Sequence, residues 1–153
     1  MRKPTAAVLV AIAAVTLAAG AAAGPDAAKQ RVAIQGHGAV FELKPLTSGD
    51  IKSDAGAASF CCWTVRTVVR DGQKVDITKG PEMTLVGSRG TLIARNRMEW
   101  LDVPGGYALF TGTWTFIRGT GDYAGLTGGG GVAGITLPGG DTKWRREGVL
   151  GPK

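Results

Sequence analysis

Few residues in this chain have the types and spacing that chemistry demands, and each such group can be weighed against the reaction it would serve. Gly119-Thr-Gly121-Asp-Tyr-Ala124 fits the Gly-x-Gly-x-x-Gly/Ala fingerprint of dinucleotide sites. There, a strand runs through glycines into a helix whose amino end receives a pyrophosphate. The continuation Gly125-Leu-Thr-Gly-Gly-Gly-Gly131 cannot sustain that helix, because each glycine costs about 1 kcal/mol relative to alanine. The segment reads instead as a tight junction between strands, where glycine permits positive φ angles and close approach. No Walker-type Gly-Lys-Ser/Thr sequence is present either.

His37 is the single histidine, and Cys61 and Cys62 are the only cysteines. One histidine and no Cys-x-x-Cys spacing fail the ordinary zinc and dithiol redox patterns, so neither a metal nor a cofactor is expected. His37 falls on the polar side of its strand, a rim position. Adjacent residues of a strand point to opposite faces, which works against a mutual disulfide. Two inert thiols, pairing with another chain and a vicinal disulfide all stay open for Cys61 and Cys62. Glu42, Glu82, Glu99 and Asp102 supply carboxylates, but paired acid and base work needs a set separation, and they read as strand-rim charges. Lys143-Trp-Arg-Arg146 is the most basic cluster. Alternation sets Lys143 and Arg145 against Trp144 and Arg146, so it presents no continuous basic face, and nucleic acid is not an expected partner.

The aromatic residues are the stronger signal. Trp63, Trp100, Trp114 and Trp144 are numerous for this length, and on strands they either plug a core or line an apolar cavity suited to a hydrophobic ligand. The expected ligand contacts are Trp63, Trp114 and Phe116, with Tyr123 at a cavity mouth. Asp122 and Tyr123 also suit a sharp turn, the aspartate capping local amides and the tyrosine donating its hydroxyl to a buried acceptor.

The elements that must position these residues are strands. Arg31 to Leu43 alternates loosely, with Val32, Ile34, Gly36, Gly38 and Val40 on one face. Residues 44–58 have the composition of a loop. Phe60 to Val69 is β-branched and aromatic, with Cys61, Trp63, Val65, Thr67 and Val69 on one face, and Asp71-Gly72 supplies a hairpin signal. Lys79-Gly80-Pro81 interrupts the return strand. Tyr107 to Arg118 is the clearest strand, with Ala108, Phe110, Gly112, Trp114 and Phe116 on one side. No segment after the first two dozen residues carries a 3.6-residue apolar period. Several strands divided by glycine turns predict an all-β, antiparallel, closed barrel of about eight strands, since closure removes the sheet edges that invite aggregation.

Met1-Arg-Lys followed by the apolar run Ala6 to Ala19 and a small-residue region has the layout of a secretory signal peptide. Residues 1–23 are assigned to it, 24–30 to a flexible lead-in and 31–153 to one barrel domain. Cleavage would leave no stable transmembrane span and a secreted or periplasmic protein. Removing Arg2 and Lys3 from 18 basic side chains against 12 acidic ones leaves a net charge of about +4, ordinary for solubility.

Gly112-Thr-Trp-Thr-Phe-Ile-Arg-Gly-Thr-Gly-Asp-Tyr-Ala-Gly-Leu-Thr-Gly-Gly-Gly resembles the strand, Gly-Thr-Gly-aromatic-Ala-Gly turn and glycine-rich return of small secreted bacterial proteins related to the allene oxide cyclase and dirigent barrel group. The resemblance is best over Tyr107 to Leu137. It implies a calycin-like or allene-oxide-cyclase-like eight-stranded barrel with an interior cavity, often in homo-oligomers. It also implies three expectations about function: binding of a small apolar molecule or an envelope interaction, a cofactor-free isomerase, cyclase or coupling guide, or a structural oligomer. No catalytic residue of that group maps onto this chain.

Overall fold

The computed structural model describes residues 29–153. The expected export segment and residues 24–28 of the lead-in lie outside the described residues. Nine strands follow one another: β1 (Gln30–His37), β2 (Val40–Pro45), β3 (Asp54–Cys61), β4 (Thr64–Arg70), β5 (Gln73–Gly87), β6 (Gly90–Val103), β7 (Tyr107–Gly119), β8 (Leu126–Thr136) and β9 (Thr142–Pro152), with a 3-10 turn at Gly121–Tyr123. The strands pair in the order β3-β2-β1-β9-β8-β7-β6-β5-β4, and β3 also pairs with β5. This last pairing closes the sheet into a barrel.

The wall is eight strands around because β3 and β4 share one place in it. Cys61 lies opposite Glu82, and Thr64 lies opposite Lys79, so the two short strands continue one register along β5. All pairings are antiparallel. The expected all-β antiparallel closed barrel is therefore the observed architecture.

Period-two alternation decides which side chains go inside. On β6, Leu92, Ala94, Asn96 and Met98 are buried while Arg95 and Arg97 are exposed; on β7, Phe110, Trp114 and Phe116 are buried while Thr113 and Thr115 are exposed. An apolar interior behind a polar exterior is the inverse of a lipid-facing barrel. Among the described residues, no helix is long and apolar enough to cross a membrane. Val32, Ile34, Leu43, Leu85, Leu92 and Leu150 are each no more than 1% exposed and belong to one continuous cluster. Burying a side chain of this size contributes about 1.5–3 kcal/mol.

Three local readings change. Arg31 to Leu43 is a hairpin rather than one strand: the chain reverses at Gly38, whose φ is 55°, although no Asn-Gly or Asp-Gly pair marks the turn. The loop after β2 is shorter than residues 44–58, because β3 begins at Asp54. Gly128 to Gly131 are strand residues of β8 rather than part of the turn. Their glycines serve close approach: a Cβ on Gly130 would overlap the Glu147 carbonyl oxygen and lie 2.5 Å from Gly148 Cα.

The break between β3 and β4 also differs from the expected single strand. Cys62 has φ 64° and Gly80, across from the break, has φ 83°. On β5, the two residues Gly80 and Pro81 face the single Asn96 of β6, a bulge. The paired irregularities swap the inward face on both strands. Thr78 points inward before the bulge, and Met83 and Leu85 after it. On the partner, the inward set passes from Ala58 and Phe60 to Trp63 and Val65, so Cys61 and Trp63 do not share a face. Because Cys62 leaves the strand conformation, Cys61 and Cys62 form a vicinal disulfide. Among the described residues no cysteine is free.

Candidate functional site: a half-hollow barrel

The two ends of the barrel are filled differently. At the end bearing the β2–β3 loop, the β5–β6 turn and the 3-10 turn, aliphatic side chains together with Trp114 and Phe116 fill the interior, and Ile51 and Tyr123 cover it. At the opposite end, which bears the β1–β2, β4–β5, β6–β7 and β8–β9 turns, the interior holds a cavity of about 470 Å³. That volume lies in the range of small-molecule sites, about 300–1,000 Å³.

Each part of the cavity wall follows from strand alternation. β6 supplies Met98, Trp100 and Asp102, β7 supplies Phe110, and β9 supplies Thr142, Trp144 and Arg146, in every case at alternate positions. The β3–β4 break supplies Phe60, Trp63 and Val65. β2 pairs with β3 only as far as Ala57 opposite Val40, so the outer edge of β4 has no strand beside it. This opens the wall sideways and leaves Trp63 54% and Val65 55% exposed. Small residues at Gly38 and Gly140 complete the rim.

Aromatic contacts hold the walls in place. Trp100 and Phe110 pack at a centroid distance of 4.2 Å, and Phe60 meets Trp144 edge to face at 5.8 Å. The Trp100 indole donates to Thr78 Oγ1 at 3.1 Å, so its polar atom is satisfied within the wall. On the outer half, Thr67 Oγ1 donates to Asp76 Oδ1 at 2.6 Å.

Arg146 lies deepest on β9. It is 1% exposed, and its guanidinium carbon stands 4.4 Å from the Trp144 ring centroid and 5.6 Å from that of Phe60. Such stacking is the cation–π arrangement that offsets desolvation of a cation. Its Nε and Nη2 donate to Asn96 Oδ1 at 3.3 and 3.2 Å. Its Nη1 is buried with no hydrogen-bond partner in the protein. Burial pushes the guanidinium down to about 9, still above neutrality, so the group is a cation at pH 7.

The residues singled out in the sequence separate into two places. Trp63 lines the cavity. Trp114, Phe116 and Tyr123 belong to the packed cluster, at 1%, 7% and 2% exposure, and are absent from the cavity wall. Tyr123 instead anchors the closed end, donating its hydroxyl to Asp54 Oδ2 at 2.8 Å. Asp54 Oδ1 also accepts from the Ser88 amide at 3.0 Å, the Ser88 hydroxyl at 2.9 Å and the Ala55 amide at 2.9 Å. Burial pushes the Asp54 carboxyl up, but the hydrogen bonds from Tyr123, Ser88 and the Ala55 and Arg89 amides outweigh it and hold the carboxyl below its ordinary value. Burial, then the bond to Asp54 and its charge, raise the Tyr123 hydroxyl well above the usual phenol range, so it stays a donor.

The other candidates divide by face. Glu99 forms a two-pronged ion pair with Arg70 at 2.7 and 3.0 Å, and Glu82 lies 3.9 Å from Arg118. Glu42 bonds to Lys44 and Gln35. None of these three carboxylates lines the cavity, whereas Asp102 and Asp76 do. His37, exposed at the end of β1, contacts Asp141. Among the described residues, no group of three or more His, Cys, Asp or Glu is placed to hold a metal ion.

The residues missed in the sequence are Phe60, Met98, Phe110 and above all Arg146. Its signal was present: in Lys143-Trp-Arg-Arg146, alternation places Arg146 with Trp144, on the face that a closed barrel turns inward. No protein-family model, no curated protein and no solved structure matches the chain.

Proposed function

We propose that this chain is an exported barrel protein that binds a small apolar molecule in the hollow end of its interior. The observation that carries this reading is the contrast within one barrel: one end is filled with packed side chains, while the other keeps about 470 Å³ behind Phe60, Trp63, Met98, Trp100, Phe110 and Trp144. A protein without a ligand gains stability by filling such a space, since each cavity lining forfeits dispersion contacts. The resemblance to the allene oxide cyclase and dirigent barrel group supports the same reading through its interior cavity.

The test uses a neutral reporter, N-phenyl-1-naphthylamine, whose emission rises in apolar surroundings. Saturable enhancement with the wild-type chain is expected, weakened by up to about tenfold in Trp100→Ala, which removes one aromatic wall. No saturable enhancement would sink the reading. A second reading, a cofactor-free isomerase or cyclase, draws support from Asp76 and Asp102 in the cavity wall, because acid and base work needs ionisable groups within reach of the ligand. Ligand extracted and re-incubated with fresh protein separates the two: recovery unchanged supports binding, and recovery as an isomer supports catalysis.

Export is carried by the layout of residues 1–23, and the Cys61–Cys62 disulfide suits an oxidising compartment. Intact-mass spectrometry of the exported chain is expected to show loss of that segment and no alkylation of either cysteine before reduction. A full-length mass, or two alkylated thiols, would count against it.

A further inference from the structure

We propose that Arg146 is the head-group site of the hollow end, and that the ligand is a monocarboxylate with an apolar body. This rests on the cavity-binding reading above and gives it a substrate class.

Among the described residues, three buried side-chain atoms have no hydrogen-bond partner, namely Trp114 Nε1, Trp144 Nε1 and Arg146 Nη1. All three are donors. An interior whose unpaired buried side-chain atoms, among the described residues, are all donors is complementary to an acceptor-rich group, and a buried cation without a carboxylate is complementary to an anion. Arg146 lines the cavity wall together with Trp144, so the spare donor and the charge lie where a ligand would be. Asn96 takes Nε and Nη2, which leaves the Nη1 side of the guanidinium for an incoming oxygen.

One cation matches one negative charge. A dianion such as a phosphate monoester would bring a second charge, unpaired, into a wall of Phe60, Met98 and Phe110, at a large desolvation cost. The apolar wall and the single charge together select a carboxylate on a hydrocarbon or aromatic body.

Depth and orientation follow from register. Arg146 lies four residues inside Thr142 at the rim, about 13 Å at strand rise. The row through Arg146 passes Val132, Gly112, Met98 and Thr78. Asp102 lies four residues beyond Met98, and Asp76 two beyond Thr78, both toward the mouth, and both line the wall. Their charges disfavour an anionic head at the mouth and favour it at Arg146, with the body running outward past Trp100 and Trp63. With about 470 Å³ and about 30 Å³ for each water-sized group, the body holds roughly fifteen non-hydrogen atoms.

The experiment compares decanoate with 1-decanol by displacement of N-phenyl-1-naphthylamine and by quenching of the cavity tryptophans. Decanoate is expected to bind the wild type at least about tenfold tighter than decanol. In Arg146→Met the preference should vanish while decanol binding persists, and Arg146→Lys should restore part of it. A merely structural Arg146 predicts a lower melting temperature in Arg146→Met with the ligand preference intact. A site residue that carries an unpaired donor at a cost to folding predicts an equal or higher melting temperature with the preference lost. Equal binding of decanoate and decanol by the wild type overturns the head-group assignment but leaves the cavity reading standing. Failure of both ligands and of the neutral reporter overturns the cavity reading itself. The wild-type comparison decides the question even where Arg146→Met does not fold.

Discussion

Asp54→Ala is expected to destabilise the barrel by about 3 kcal/mol, because it strips acceptors from several buried or half-buried donors at once. The Tyr123 hydroxyl, the Ser88 hydroxyl and the Ser88 and Ala55 amides all converge on this carboxylate at 2.8–3.0 Å. It ties β3, the β5–β6 turn and the 3-10 turn into one plug over the packed end. The same geometry sets a pH dependence. The folded carboxyl titrates below its ordinary value, so its contribution is fully present above the unfolded value, about 3.9. As pH falls through the lower folded value the contribution is lost. Urea midpoints measured from pH 6 down to pH 2 should therefore fall more steeply for the wild type than for Asp54→Asn, which keeps the shape without the charge. Tyr123→Phe should lose roughly 1.5–3 kcal/mol, the worth of one bond to a charged acceptor. Identical acid profiles for wild type and Asp54→Asn would remove Asp54 from this role.

Local alternation made the barrel legible in the sequence. Phe110, Trp114 and Phe116 sit on one side of β7 in the sequence and on the inside in the structure, because β7 keeps one register from Tyr107 to Phe116 and its irregularity comes only at Ile117. The same reading could not say how deep each inward residue lies. Trp114 and Phe116 face inward just as Phe110 does, yet only Phe110 reaches the cavity wall; depth along the barrel axis depends on the stagger of eight strands, which no single strand encodes. Tyr123 was placed correctly in the sharp turn, but its acceptor, Asp54, lies 69 residues away in sequence. The disulfide was hidden for a related reason. A strand rule forbids neighbours from bonding, and the rule fails where Cys62 turns to φ 64° opposite the bulge at Gly80. Arg146 was legible as a direction without a meaning: its face was evident, but a buried arginine has a reading only once the cavity and its donors are known.

Gly130→Ala is expected to cost about 3 kcal/mol or more, at the upper end of overpacking, although the substitution adds one methyl group and improves intrinsic strand propensity. Gly130 pairs with Trp114 on β7 and with Gly148 on β9. Its missing side chain points at main chain on the β9 side, the Glu147 carbonyl and Gly148 Cα, and main chain cannot rotate aside as a side chain can. Relief would require β8 and β9 to separate, and β9 carries Trp144 and Arg146. The substitution should therefore act twice: a lower urea midpoint, and weaker binding of the neutral reporter in the fraction that remains folded. Gly125→Ala is the matched control in the turn. No atom lies within 4 Å of the Cβ it would create, while its φ of 70° adds backbone strain, so its cost should be about 1 kcal/mol and its effect on reporter binding nil. If Gly130→Ala cost no more than Gly125→Ala, the glycines of β8 would be serving turn flexibility, as their sequence first suggests, rather than the close contact of two strands that shapes the wall beside Arg146.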